Sequence, residues 1–186
     1  MQDILKLIQE RRSIFPPQFT DEPIAKKTLE QLLEAANWAP THKRTEPWRF
    51  WVFTGAAKAR LGTFLSTKYQ EIEAKPKQVK IRKLQGNCQR AAAVIAIGMQ
   101  RDPEARLPEW EELAATAMAV QNLWLCATAQ GLGGYWSSPS LIQYMDEFIA
   151  LDPGQHCLGF FYLGHYESQA TTMERKPIDE KVVWLD

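Results

Sequence analysis

Between Trp110 and Gln130 the chain carries a helical repeat that is apolar over most of its circumference, with Leu113, Ala114, Ala117, Met118, Val120, Leu123, Trp124, Leu125 and Ala127 ahead of Gly131. An ordinary surface helix keeps a narrow apolar stripe facing its core, so a helix apolar on several sides needs partners on several sides. The segment therefore predicts a central core helix, a subunit interface, or both, with Gly131 as its C-terminal cap. The sheet to cover it is written around it. Pro47 to Phe53 is rich in aromatic and β-branched residues, Ala91 to Gly98 is a continuous apolar run, and Leu158 to Gly164 is a further one. Such runs predict strands, and the continuous Ala91 to Gly98 run a buried one. A short amphipathic run at Ile4, Leu5, Leu7 and Ile8 predicts a first helix. Thr28 to Ala36 predicts a second with Thr28 or an upstream residue as cap, and Ala57 to Leu65 a third. Lys181 to Leu185 offers one more short strand.

Composition excludes several classes. The chain has 186 residues, 45% of them hydrophobic, and 22 basic against 22 acidic side chains. This is the make-up of one globular domain over residues 1–186, and a zero net charge argues against nucleic-acid and membrane-surface partners. The polar stretch from Thr67 to Arg90 mixes both signs and reads as a solvated helical excursion. No leader-like pattern opens the chain and no stretch is long enough to span a bilayer, which predicts a cytoplasmic protein. Cys88, Cys126 and Cys157 lack metal-ligand spacing and read as buried reduced thiols without a nucleophilic role. His165 reads as a loop residue, leaving His42 as the histidine in an interesting setting.

Three segments carry chemistry. Arg11-Arg12-Ser13 follows the first helix and sets two guanidinium groups and a hydroxyl side by side, the donors a terminal phosphate asks for. A helix C-terminus repels anions, so the chain must have left the helix by Ser13 or the arginines must outweigh the dipole. The second segment runs from Ala39 to Phe50, and the third is Gly131-Leu132-Gly133-Gly134-Tyr135-Trp136-Ser137. The glycines of the third follow a helix, so they are no dinucleotide-binding turn; they suit a backbone that passes close to a flat ring.

In order and spacing these segments, with the closing Arg175-Lys176-Pro177-Ile178 and Val182-Val183-Trp184, resemble the flavin-binding nitroreductase family from about Asp3 to the C-terminus. The resemblance implies an α+β fold, a central mostly antiparallel sheet flanked by helices in an intertwined homodimer with a flavin at each interface. It implies FMN as cofactor, its phosphate and ribityl end held by Arg11, Arg12 and Ser13, joined by Arg175 if the tail returns. His42 and Trp38 stand where relatives approach the ring, and Tyr135, Trp136 and Ser137 would line its face or edge. Lys43 or Arg12 would place positive charge near the pyrimidine edge. The activity implied is ping-pong transfer of hydride from NADH or NADPH through FMN to a small nitroaromatic or quinone-type acceptor, with no protein nucleophile and no metal. One position departs from the family pattern: Glu46 stands where an amide commonly precedes Pro-Trp, and a carboxylate there would oppose charge on a reduced flavin. Glu46 therefore favours an alternative, a non-catalytic module that stores, senses or delivers FMN. Flavin fragmentation or dehalogenation on the same fold needs lid segments for which this chain has little room.

Overall fold

A computed structural model describes residues 4–167 and 174–185. Its helices are α1 (Ile4–Glu10), α2 (Lys26–Asn37), α3 (Ala56–Ile72), α4 (Gln78–Arg90) and α5 (Glu109–Ala129); its strands are β1 (Trp48–Phe53), β2 (Ala93–Gln100), β3 (Gly133–Ser137) and β4 (Gln155–Gly164). The strands form one sheet in the order β1-β2-β4-β3, and every neighbouring pair is antiparallel. The α+β arrangement of an antiparallel sheet between helices is thus present.

The central strands β2 and β4 read as apolar runs because both faces are covered, whereas β1 at the sheet edge is largely half-buried. Ile95 and Ile97 of β2 and Phe161 and Leu163 of β4 meet α2 and α5 through Leu29, Leu32, Ala119, Val120 and Leu123. Val94 and Ala96, with Phe160 and Tyr162, meet α3 and α4 through Leu61, Leu65, Ile81 and Cys88. The apolar circumference of α5 finds two of its partners in the sheet and α2. Gly131 caps α5 at a φ of 73°, in the left-handed region where glycine has no Cβ to clash.

Several sequence expectations are revised. Helix α2 starts at Lys26 with the upstream residue Ala25, not Thr28, as its N-cap, and no side chain caps it. The polar excursion is a helical hairpin, α3 running seven residues past Leu65 and α4 returning antiparallel to it. Lys181 to Leu185 forms no strand: a short 3-10 turn at Asp179–Lys181 leads into an exposed segment ending in Val183, Trp184 and Leu185. Among the described residues, no helix is long and apolar enough to cross a membrane.

Candidate cofactor site

Helix α1 ends at Glu10, and the next residues run alongside β3. Ser13 bridges Gly134, and the Ile14 N–H donates to the Gly134 carbonyl at 3.0 Å. The chain has therefore left the helix by Ser13, and two segments 120 residues apart in sequence now touch. The glycines of β3 make this contact possible. A Cβ on Gly133 would lie 2.8 Å from that of Ile14, and one on Gly134 would strike the rings of Phe161 and Trp124. The rings these glycines approach are thus the protein's own.

Arg11 and Arg12 divide their work. Arg12 donates to the carbonyls of Gln9 and Arg11, neutralising the end of α1 as a cation at a helix C-terminus does. Arg11 lays its guanidinium 4.4 Å from the centre of the Trp124 ring on α5. Its Nη1 is buried without a hydrogen-bond partner, as is Nε1 of Trp124. Burial first, then the positive charges of Arg175 and Arg12, hold the Arg11 pKa below its ordinary value. Three arginines from two ends of the chain thus converge with Ser13 beside β3, and the cluster lowers its energy by taking an anion. The residues present fit a phosphate monoester.

The other predicted residues lie elsewhere. His42 sits in a tight turn (His42–Arg44) and hydrogen-bonds through Nδ1 to Oε2 of Glu111 at 2.7 Å, in the first turn of α5. Its ring stays largely exposed. Lys43 donates to the Arg106 carbonyl at 3.1 Å. Lys43, Arg44 and Glu46 all adopt left-handed φ (51°, 56° and 43°), each costing about 1–2 kcal/mol in a residue with a Cβ. The contacts to α5 and to the loop before it offset that cost. Trp38, four residues earlier, is 78% exposed and donates through Nε1 to Glu34 at 2.9 Å. Glu46 is exposed, and its backbone N–H donates to the Thr41 hydroxyl.

Strand alternation parts Tyr135 from Trp136. Tyr135 joins the α3 and α4 side, 4.5 Å from the ring of Phe15, whereas Trp136 packs on the α2 and α5 side. Ser137 shares the Tyr135 side by the same alternation. The structure therefore gathers Arg11, Arg12, Ser13 and Arg175 near the C-terminal half of α5 and leaves His42 near its start. Glu111 and Trp124 are 13 residues apart on that helix, about 20 Å at the α-helical rise. Sequence reasoning missed Trp124 and Glu111 as the residues that hold Arg11 and His42. Neither carries a local signal, since the contacts join segments far apart in the chain.

An antiparallel helical hairpin packed on a four-stranded antiparallel sheet, with a cluster of arginines beside the end of the first helix, fits a class of flavin-binding proteins. The nitroreductase family model matches residues 8–165, and the chain belongs to the nitroreductase family. It is 28% identical over 177 residues to "Putative NAD(P)H nitroreductase YdjA" of Escherichia coli (strain K12), covering 94% of each chain. Among solved structures it is similar to a nitroreductase-like family protein from Bacillus cereus, with 30% identity, a TM-score of 0.86 and coverage of 100% and 97%. A Desulfovibrio desulfuricans protein solved in complex with FMN is 25% identical, with a TM-score of 0.78 and coverage of 100% and 98%.

Proposed function

We propose that this chain is an FMN-dependent oxidoreductase that takes reducing equivalents from NADH or NADPH and passes them to small flat acceptors of the nitroaromatic or quinone type. The observation that carries the reading is the arginine cluster: Arg11 is pressed on Trp124, part-buried, and surrounded by like charge from Arg12 and Arg175. Arg11, Arg175 and the Ser13 hydroxyl would hold the phosphate of FMN, with Arg12 adding charge from the end of α1. FMN held there would supply the hydride chemistry between the nicotinamide donor and the acceptor. His42, fixed by Glu111, would border the ring, and Trp38 and Trp136 would offer flat apolar surface at the two ends of the slot.

The slot needs two chains in this proposal. Arg11 and His42 lie near opposite ends of α5, and a twofold axis that sets α5 antiparallel to its mate brings the Arg11 end of one chain beside the His42 end of the other. Exposed apolar side chains on the face formed by α1 and α5 (Ile4, Leu5, Ile8, Trp110, Leu113 and Met118) and the exposed tail supply surface for such a contact. The whole chain then acts as a single domain in a homodimer in the cytoplasm.

Glu46 supports a second reading, storage or sensing of FMN, because its carboxylate is exposed in the same strained turn as His42. An anaerobic absorption spectrum separates the two. A yellow protein that bleaches with NADH or NADPH is expected; yellow without bleaching indicates storage, and failure to form a stoichiometric FMN complex overturns both. The clamp itself is tested by Arg11→Ala, which should weaken FMN binding by about 1.5–3 kcal/mol while leaving riboflavin affinity unchanged, since riboflavin lacks the phosphate. Flavin fluorescence titration measures both.

A further inference from the structure

From residue 74 to residue 90 the chain carries Lys75, Lys77, Lys80, Arg82, Lys83 and Arg90 and no aspartate or glutamate. The mixed signs of the wider stretch, which suggested an ordinary solvated surface, are sorted by the fold. On α3, Lys68 lies 2.7 Å from Glu71 and 2.6 Å from Glu147, so charge there is neutralised locally. On α4 only cations remain. Val79, Arg82, Lys83, Gly86 and Arg90 share one stripe at helical spacing, opposite the buried Ile81 and Cys88. All six cations are exposed, and none has an ion pair among the described residues. Lys6, Lys26, Lys68, Arg101 and Arg106 on other elements are all paired.

The tip of the hairpin is built as well as charged. Ile72 and Val79 flank its loop and are 44% and 79% exposed. Tyr69, nearly buried, fixes the loop between them: its hydroxyl accepts from the Lys77 N–H at 3.2 Å, and the Lys80 ammonium stands 4.3 Å from its ring centre. The hairpin tip thus presents two aliphatic side chains with Lys75, Lys77 and Lys80 on its α4 side and, among the described residues, a single unneutralised carboxylate, Glu73, next to Ile72.

Partners can be compared by what each demands. Single-stranded nucleic acid is gripped by exposed aromatic faces, and the ring at this tip is already covered by Lys80. A protein partner needs an apolar centre rich in aromatic residues within about 800 Å² per side, which two aliphatic side chains do not supply. An anionic bilayer asks only for clustered cations and a few apolar side chains at the headgroup level. We propose that the α3–α4 hairpin docks the protein reversibly on an anionic lipid surface, with Ile72 and Val79 at the interface and the α4 cations on lipid phosphates. Zero net charge does not prevent this, because fields decay within about 10 Å at 0.1 M salt and the local cluster governs. The hairpin lies across the sheet from α5, so docking leaves the Arg11 and His42 groups clear.

The test is co-sedimentation of the full chain with phosphatidylcholine vesicles containing or lacking phosphatidylglycerol. The protein should pellet only with the anionic vesicles and be released by high salt. Lys77→Glu with Lys83→Glu should lower partitioning at least tenfold, given about fivefold per cation near the surface. The milder Lys83→Gln should lower it a few-fold, Val79→Ser should weaken it with no change of charge, and Lys27→Glu on α2 should leave it unchanged. Equal pelleting without phosphatidylglycerol, wild-type binding by the double variant, or tighter binding to duplex DNA than to vesicles would each overturn the proposal. None of these readings depends on flavin.

Discussion

Cys88 is fully buried between α4 and β4, and its thiol is hydrogen-bonded to the Tyr162 phenol. Burial pushes the Cys88 thiol up to about 12 and that of Cys157 to about 11, from an ordinary value of 9.0, and raises the Tyr162 phenol well above 10.0. All three groups keep their protons in the folded chain at pH values where the unfolded chain releases them. Their contribution to stability is complete below pH 9.0 and is lost as pH rises through the folded values. Urea midpoints should therefore fall steeply between pH 9 and 11. Cys88→Ala should start lower at neutral pH, from the lost packing, and decline less steeply. A parallel decline in both proteins would show that the thiol does not carry the alkaline loss. The same burial supports the sequence reading of Cys88 and Cys157 as buried thiols, whereas Cys126 is only half-buried.

The start of α5 is held by a carboxylate with no exposure. Glu112 accepts from the Arg101 guanidinium and, at 2.8 Å, from the Asp102 backbone N–H, so it fastens the β2–α5 connection to the helix. Glu109, Glu111 and Glu112 also place negative charge where the helix dipole favours it. Glu112→Ala would strand a largely buried cation, and an expected loss of about 3–5 kcal/mol follows from breaking such a pair on one side. Urea denaturation measures it, and Glu112→Gln should recover part by keeping an acceptor for Asp102. A loss below about 1 kcal/mol would mean the pair is weak. Elements such as α5 and β2 were legible because burial imposes a period that each residue obeys independently. What joins elements was not: the His42 and Glu111 contact spans 69 positions, and the charges of α3 and α4 separate only once the hairpin closes. Tyr135 and Trp136 were read together as lining one ring, although strand alternation sends adjacent residues to opposite faces of the sheet.

At the scale of the whole molecule, the two groups assigned to flavin stand about 20 Å apart along α5, so the proposal makes a claim about which chain supplies each. Light scattering should give a mass near twice 21.3 kDa, and Trp110→Asp, which places a charge on an exposed ring position of α5, should shift the equilibrium toward monomer. Mass alone does not locate the site, but mixed dimers do. Arg11→Ala and His42→Ala should each weaken FMN binding in their own homodimers, because every site then carries one lesion. In a dimer formed from one chain of each kind, a site built from both chains gathers the two lesions on one side and leaves the other side intact. Random exchange of equal amounts would restore about a quarter of all sites to wild-type affinity, half of the dimers being mixed and half of their sites whole. If Arg11 and His42 of the same chain met one flavin, every site would stay damaged and mixing would restore none. FMN titration of the exchanged mixture, read as the fraction of tight sites, decides between the two arrangements.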